Sequence, residues 1–287
     1  MTLIAMTAFA GNSLLCRMAL KHTPIDAATF TTIRLASGAL VLWLVVGMRR
    51  GQAVGRGNWP SATALFVYAA AFSLAYRQLP AATGALLLFG AVQATMIGYG
   101  MWSGERFRRL QMAGLALALG GLVGLLLPGL SAPPIEACAL MLAAGFAWGV
   151  YSLRGKSAGD PTQVTAGNFL RAVPIALLLN LLMFKGDALD SAGIWYAIGS
   201  GALASGLGYA VWYTVLPVLK ATKAATVQLS VPALAALGGI TFLGEAINLP
   251  LILSSMAILG GVALVLLEKE LLPGSRHIAP ADRNQPR

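Results

Sequence analysis

Acidic residues are scarce in this chain, ten among 287, and none falls midway along an apolar run. Asp26, Glu105, Glu136, Asp160, Asp187, Asp190, Glu245, Glu268, Glu270 and Asp282 lie at the ends of such runs, between them, or in the C-terminal tail. Charged residues make up only 10% of the chain. Soluble domains carry roughly a quarter, so a water-soluble globule of this size is excluded. Histidine is equally rare, and His22 and His277 both fall outside the apolar runs. A proton relay through a membrane needs carboxylates or imidazoles at depth, and the sequence places none there. The two cysteines, Cys16 and Cys138, sit inside apolar runs and form no CxxC pair. A disulfide framework and a thiolate metal site are therefore not expected. No metal or other cofactor is expected. No HExxH or Asp-rich metal motif is present, which disfavours an intramembrane enzyme. No cleavable leader is expected either, because the first apolar run begins without a basic segment before it.

What the chain has is apolar length. It is 57% hydrophobic, and a bilayer-crossing helix needs roughly 20 mainly apolar residues. Ten such runs are expected, near 2–20, 27–48, 60–78, 80–101, 110–127, 134–153, 163–184, 193–216, 222–243 and 249–267. The breaks are short, so neighbouring helices should pack antiparallel. The tail over 271–287 is polar and contains proline, and is expected to be disordered.

The net charge of +10 does not point to nucleic acid, because the basic residues sit in the breaks. Fourteen of the twenty Lys and Arg fall on one side: Arg49, Arg50, Arg56, Arg106, Arg108, Arg109, Arg154, Lys156, Lys220, Lys223, Lys269, Arg276, Arg283 and Arg287. Arg17, Lys21, Arg77 and Lys185 fall on the other, and Arg34 and Arg171 lie within spans. By the positive-inside rule both termini should be cytoplasmic, in a bacterial inner membrane.

The chain also repeats itself. Trp102-Ser103-Gly104-Glu105, then Leu119-Gly120-Gly121 and Leu126-Leu127, return as Phe242-Leu243-Gly244-Glu245, Leu259-Gly260-Gly261 and Leu266-Leu267. Phe9-Ala10, Arg17, Pro24 and Arg34 return as Phe146-Ala147, Arg154, Pro161 and Arg171. Two units are expected, 1–127 and 134–267, each of five helices. Five is odd, so tandem copies must face opposite ways across the membrane. Such an inverted repeat supports alternating access.

This pattern resembles the EamA domain: Phe-Ala with an Arg ending the first helix, an Arg inside the second, and Gly-Glu closing the fourth. Two such domains in ten spans resemble the drug/metabolite transporter superfamily, and the chain looks most like the YddG-type amino-acid exporters. The likeness covers residues 1–267. It implies an all-α membrane protein of two inverted five-helix repeats, exporting amino acids, aromatic ones and as further candidates Met or Thr. It also implies that the first four helices of each half line a central cavity, with the fifth outside. The second copy departs from the first, with Ala246-Ile247-Asn248 where the first has Arg106-Phe107-Arg108.

Candidate functional residues follow from depth. Asn12, Tyr68, Phe72, Phe89, Gln93, Trp148, Tyr151, Asn168, Tyr209, Trp212 and Gln228 fall near mid-span. Their amides, phenols and rings suit a zwitterion without net charge. Arg34 and Arg171 are candidates for a carboxylate contact or a gate, since Arg binds carboxylates bidentately. Their position two turns inside a run also suits snorkelling toward opposite faces, and the symmetry favours that. Gly104, Glu105, Gly244 and Glu245 read as a structural motif in which the carboxylate steadies the N-terminus of the following helix. Gly145-x-x-x-Gly149 and Gly120-x-x-x-Gly124 should bring helices close. Pro174, Pro217 and Pro232 are either hinges or static kinks. The expected partners are a small-molecule substrate and the lipid bilayer, with no nucleic acid, for a monomeric facilitator. An exporter of quaternary amines or other drugs is the competing reading, and a nucleotide-sugar carrier would want more inward cations.

Overall fold

The computed structural model describes residues 1–49, 57–104, 109–126, 133–155, 160–183, 190–215, 227–246 and 248–271. They form helices α1 (Thr2–His22), α2 (Ala27–Met48), α3 (Trp59–Tyr76), α4 (Ala81–Trp102), α5 (Arg109–Leu126), α6 (Ile135–Gly155), α7 (Pro161–Met183), α8 (Ser191–Ile198), α9 (Gly208–Val215), α10 (Ser230–Leu243) and α11 (Leu249–Leu271). A π-helical segment, Gly199–Leu207, joins α8 to α9, so these three make a single span. The total is ten spans, with no strand among the described residues. The protein is an all-α integral membrane protein. Five helices, α1, α2, α4, α6 and α7, are each long and apolar enough to cross a bilayer. Large apolar side chains such as Leu177, Leu178, Leu181 and Leu182 stay exposed along α7. In water that face would aggregate; in lipid it is the solvated face.

The helix starts explain where the acids went. Asp26 accepts from the backbone N–H of Ala28 and Thr29 at 2.8 and 2.9 Å, capping α2. Asp160 accepts from Thr162 N–H, and Asp190 from Gly193 N–H, at the starts of α7 and α8. Asn58 caps α3 through Ser61 N–H, and Asn248 caps α11 through Leu251 N–H. Each side chain satisfies an orphan donor and places negative potential at the positive end of a helix.

The helix contacts map onto themselves when the halves are exchanged. Each of α2, α4 and α5 packs against its own repeat mate, α7, α10 and α11. The contact of α3 with α6 is mirrored by that of α1 with the α8–π–α9 span, and α4 with α6 by α1 with α10. With five helices per half, this is an inverted pair. The repeated Gly-Gly explains one mirror contact. A Cβ on Gly121 would lie 2.7 Å from that of Ala257, and Gly261 meets the backbone of Gly114 and Ala118. The close approach of α5 to α11 thus runs through Gly114, Gly121 and Gly261. It does not run through Gly120, which has nothing within 4 Å, or Gly124, whose nearest atom is 3.8 Å away. Gly145 and Gly149 do act as expected, admitting Leu88, Ala91 and Thr95 of α4 against α6.

Gly104 and Gly244 carry positive φ, +89° and +60°. Glycine is needed there because a Cβ is strained in that region. At Gly244 the chain turns so that Glu245 N–H reaches Gly239 O at 3.0 Å, closing the C-terminus of α10.

Candidate functional site

The centre of the bundle holds a polar cluster wrapped in rings. Asn12 on α1 donates to the Tyr68 hydroxyl on α3 at 3.2 Å. Its carbonyl accepts from the Ser200 hydroxyl of the π segment at 2.6 Å. Arg34 on α2 donates from Nη2 to the same Tyr68 oxygen at 3.0 Å, and from Nε to Ser205 Oγ at 3.4 Å. The guanidinium also lies 4.9 Å from the Phe72 ring centroid and 5.1 Å from that of Tyr68, a cation–π arrangement. Trp148 stands 4.8 Å from Tyr68 and 5.0 Å from Tyr209, and Phe9 touches Tyr209 and Trp212 edge-on.

Part of this cluster lines a void of about 20 Å³, with Phe9, Asn12, Tyr68, Trp148, Ala204 and Tyr209 among its walls. That is little more than the roughly 10–15 Å³ one water needs. The lining comes from both halves, from α1, α3, α4, α6 and the π–α9 part of the eighth span, and none of it from α5 or α11; α2, α7 and α10, also expected to line a cavity, add no residue to this void. A wider groove of about 500 Å³ between α4, α10 and α11 is lined by Leu251, Met256, Leu259 and similar residues, with Ser255 its one hydroxyl. Its chemistry suits an acyl chain, not a polar metabolite.

Arg34 is the unusual member. It was expected to reach toward one face of the membrane. The structure instead turns it inward and leaves it 1% exposed, at the level of mid-helix Asn12 and Tyr68. Its Nη1 has no hydrogen-bond partner, and no carboxylate pairs with it among the described residues. A buried cation held only by hydroxyls and rings, with a free donor, is poised to accept an anion. Its repeat mate behaves differently: Arg171 Nη1 donates to Gly167 O on its own helix at 2.9 Å and is only part-buried. Phe9 and Phe146 show the same asymmetry. Phe9 lines the void, while Phe146 is 60% exposed on the lipid side.

The π segment is what brings Ser200 and Ser205 to this cluster. Small residues allow it. A Cβ on Gly201 would strike the Arg34 carbonyl and Ser37 Oγ, so backbone meets backbone beside the guanidinium. π turns inside helices concentrate at functional sites.

The other candidates fall in three places. Tyr68, Phe72, Phe89, Trp148, Tyr209 and Asn12 line the void, and Trp212 is buried beside it against Phe9. Asn168 and Tyr151 bond each other at 3.4 Å nearer one end, where Asn168 also accepts from Asn58 N–H. Arg154 joins that group through Ser61 and Asn58. Gln93 is buried with its Nε2 unpartnered, and Gln228 is half-buried just ahead of α10. Glu105 and Pro217 lie outside the described residues. Pro174 sits within a continuous α7. Pro232 lies in the first turn of α10 and has no N–H for the carbonyl of Gln228 in the short helical stretch before it; the span breaks between them, at a turn on Leu229. Glu245 does cap a helix, but not the following one. Its Oε2 accepts from Ala81 N–H at the start of α4 at 2.7 Å, and its Oε1 pairs with Arg17 Nε at 3.2 Å. The sequence reading missed Phe9, Ser200 and Ser205. The only signal was the density of Gly and Ser over 199–208.

Residues 135–267 match a family described as the EamA-like transporter family. An uncharacterised protein of Pseudomonas aeruginosa is 59% identical over 268 residues, covering 93% of each chain. The threonine/homoserine exporter RhtA of Escherichia coli is 34% identical over 124 residues, 40% of this chain and 39% of that one. The transporter YoaV of Bacillus subtilis is 28% identical over 132 residues, 44% of each. A solved crystal structure at 21% identity aligns with TM-score 0.68 over 94% of this chain and 98% of that one, which shows a shared fold.

Proposed function

Residues 135–267 match the EamA-like transporter family, and from that premise we propose that the chain is a transporter of this family that exports amino acids across a bacterial inner membrane by alternating access. Its family members are transporters and not enzymes. The observation that carries the substrate reading is Arg34, buried behind Tyr68 and Phe72 of the void lining, with neutral partners and one guanidinium nitrogen without a hydrogen-bond partner. A substrate carboxylate would take that nitrogen, while the phenols and amide of Tyr68 and Asn12 receive the ammonium. The rings of Phe9, Trp148 and Tyr209 would contact the side chain, which favours aromatic amino acids, with Met and Thr as further candidates. The partial match to a threonine/homoserine exporter supports the same class. The same Arg34 counts against quaternary amines, which a buried cation repels.

The void is too small for an amino acid as it stands, so loading requires the halves to part. The substrate gradient drives net flux in this reading, because no carboxylate or imidazole lies near the middle of a span. Flux running uphill on a pH gradient alone would overturn that part. The basic breaks place both termini in the cytoplasm, and the working unit is a monomer of two five-helix halves, 1–127 and 134–267. The test is counterflow in proteoliposomes across the twenty amino acids, a quaternary amine and a nucleotide sugar. Exchange of aromatic or other neutral amino acids is the expected result. Uptake of the amine with no amino acid would refute it.

A further inference from the structure

We infer that the Arg17–Glu245 ion pair is the latch that shuts the periplasmic mouth. The inference rests on the transport reading but not on which substrate is carried. Arg17 lies in the last third of α1 in the first half and Glu245 follows α10 in the second, 228 residues apart in sequence. The pair therefore joins the two bodies that must separate. Beyond the pair, Arg17 has two further anchors and Glu245 has one. Arg17 Nη1 donates to Tyr76 O at 2.9 Å and Arg77 O at 3.0 Å, the carbonyl end of α3. Glu245 accepts from Ala81 N–H, the amide end of α4. A cation at a helix C-terminus and an anion at a helix N-terminus both sit with the dipole. Gly244 turns the chain back with φ +60°, and Gly239 leaves room beside the Glu245 carboxylate. The second Gly-Glu, Gly244-Glu245, is thus aimed at the other half.

The burial makes this a latch and not mere glue. The side chains are 11% and 9% exposed. Dry, a pair with these extra partners is hard to break, because removing either ion strands the other. Wet, an exposed pair holds little. The contact is firm when the mouth is shut and weak once water enters, so two states result and few lie between. The repeat mate of Arg17 is in a different setting, since Arg154 bonds Ser61 and Asn58 at the far end. Inverted repeats exchange such settings as they alternate.

The test needs a reporter that does not depend on substrate. Ser13 lines the central void, so Ser13→Cys on a Cys16→Ser, Cys138→Ser background reports access to it. Labelling by an impermeant maleimide from the periplasmic face should be slow. Arg17→Gln or Glu245→Gln should speed it on the order of tenfold or more. In a separate chain on that background without the reporter, Arg17→Cys with Glu245→Cys bridged by a disulfide-containing bifunctional methanethiosulfonate should stop transport, and reduction should release it. Labelling rates unchanged by both glutamine variants, faster labelling only from the cytoplasmic face, or a cross-linked chain that still transports would each overturn the latch.

Discussion

Replacing Arg34 by glutamine separates a binding residue from a structural one, because the two roles predict opposite signs. In the substrate-free protein the guanidinium makes two bonds, 3.0 Å to Tyr68 and 3.4 Å to Ser205, and leaves Nη1 unused. A bound carboxylate would gain at least one charge-assisted bond, worth about 1.5–3 kcal/mol. It would also neutralise a charge now held by rings and hydroxyls. Losing about 3 kcal/mol corresponds to about a hundredfold weaker binding. The protein itself should not suffer in proportion, since exchanging a buried unpaired charge for a neutral amide is often neutral or stabilising. Arg34→Gln should therefore raise the half-saturating amino-acid concentration in counterflow about a hundredfold. Thermal unfolding in detergent should hold steady or shift upward. An amino alcohol, which keeps the ammonium and lacks the carboxylate, should compete better against Arg34→Gln than against the parent protein, because the cation that repels it is gone. If half-saturation moves less than threefold while the protein unfolds earlier, Arg34 is structural and the carboxylate reading is wrong.

Three further outcomes follow from backbone geometry and charge. Gly201→Ala should destabilise by about 1–3 kcal/mol, because its Cβ meets the Arg34 carbonyl; Gly98→Ala, with nothing within 4 Å, should not, and size-exclusion after heating compares them. Gly244→Ala should cost about 1–2 kcal/mol for its left-handed φ, read as earlier unfolding in the same assay. A cysteine at Gln52 on a cysteine-free background should resist an impermeant thiol reagent added outside intact cells, and labelling there would reverse the proposed topology.

Much of the fold was legible because lipid imposes length and water imposes charge at the ends. The expected span 27–48 is the observed α2, since Asp26 supplies its cap and the apolar run fixes its extent. The ninth span differs: 222–243 was expected, but a turn at Leu229 separates a short helical stretch from α10. The Gly-Glu motif was visible as a repeat, and its glycine's role is local. Its glutamate's partners, Arg17 and the Ala81 amide, are 228 and 164 residues away, and no local pattern encodes them. Arg34 was misplaced for a deeper reason. Repeat symmetry assigns Arg34 and Arg171 equivalent surroundings, whereas a closed state of an inverted repeat treats its copies unequally. Phe9 and the π-segment serines escaped notice because a lone ring or a Gly-Ser stretch reads as packing.

The π segment also sets where the aromatic wall points. An α-helix turns about 100° per residue and a π-helix roughly 80°. Over the nine residues of Gly199–Leu207 that lag accumulates to about half a revolution. Wound as an ordinary helix, the same chain would swing Tyr209 from the void, and Trp212 from its contact with Phe9, toward lipid. The pocket's chemistry is therefore held by winding as well as by residue identity. A change among the small residues upstream, touching nothing in the void, can re-aim both rings.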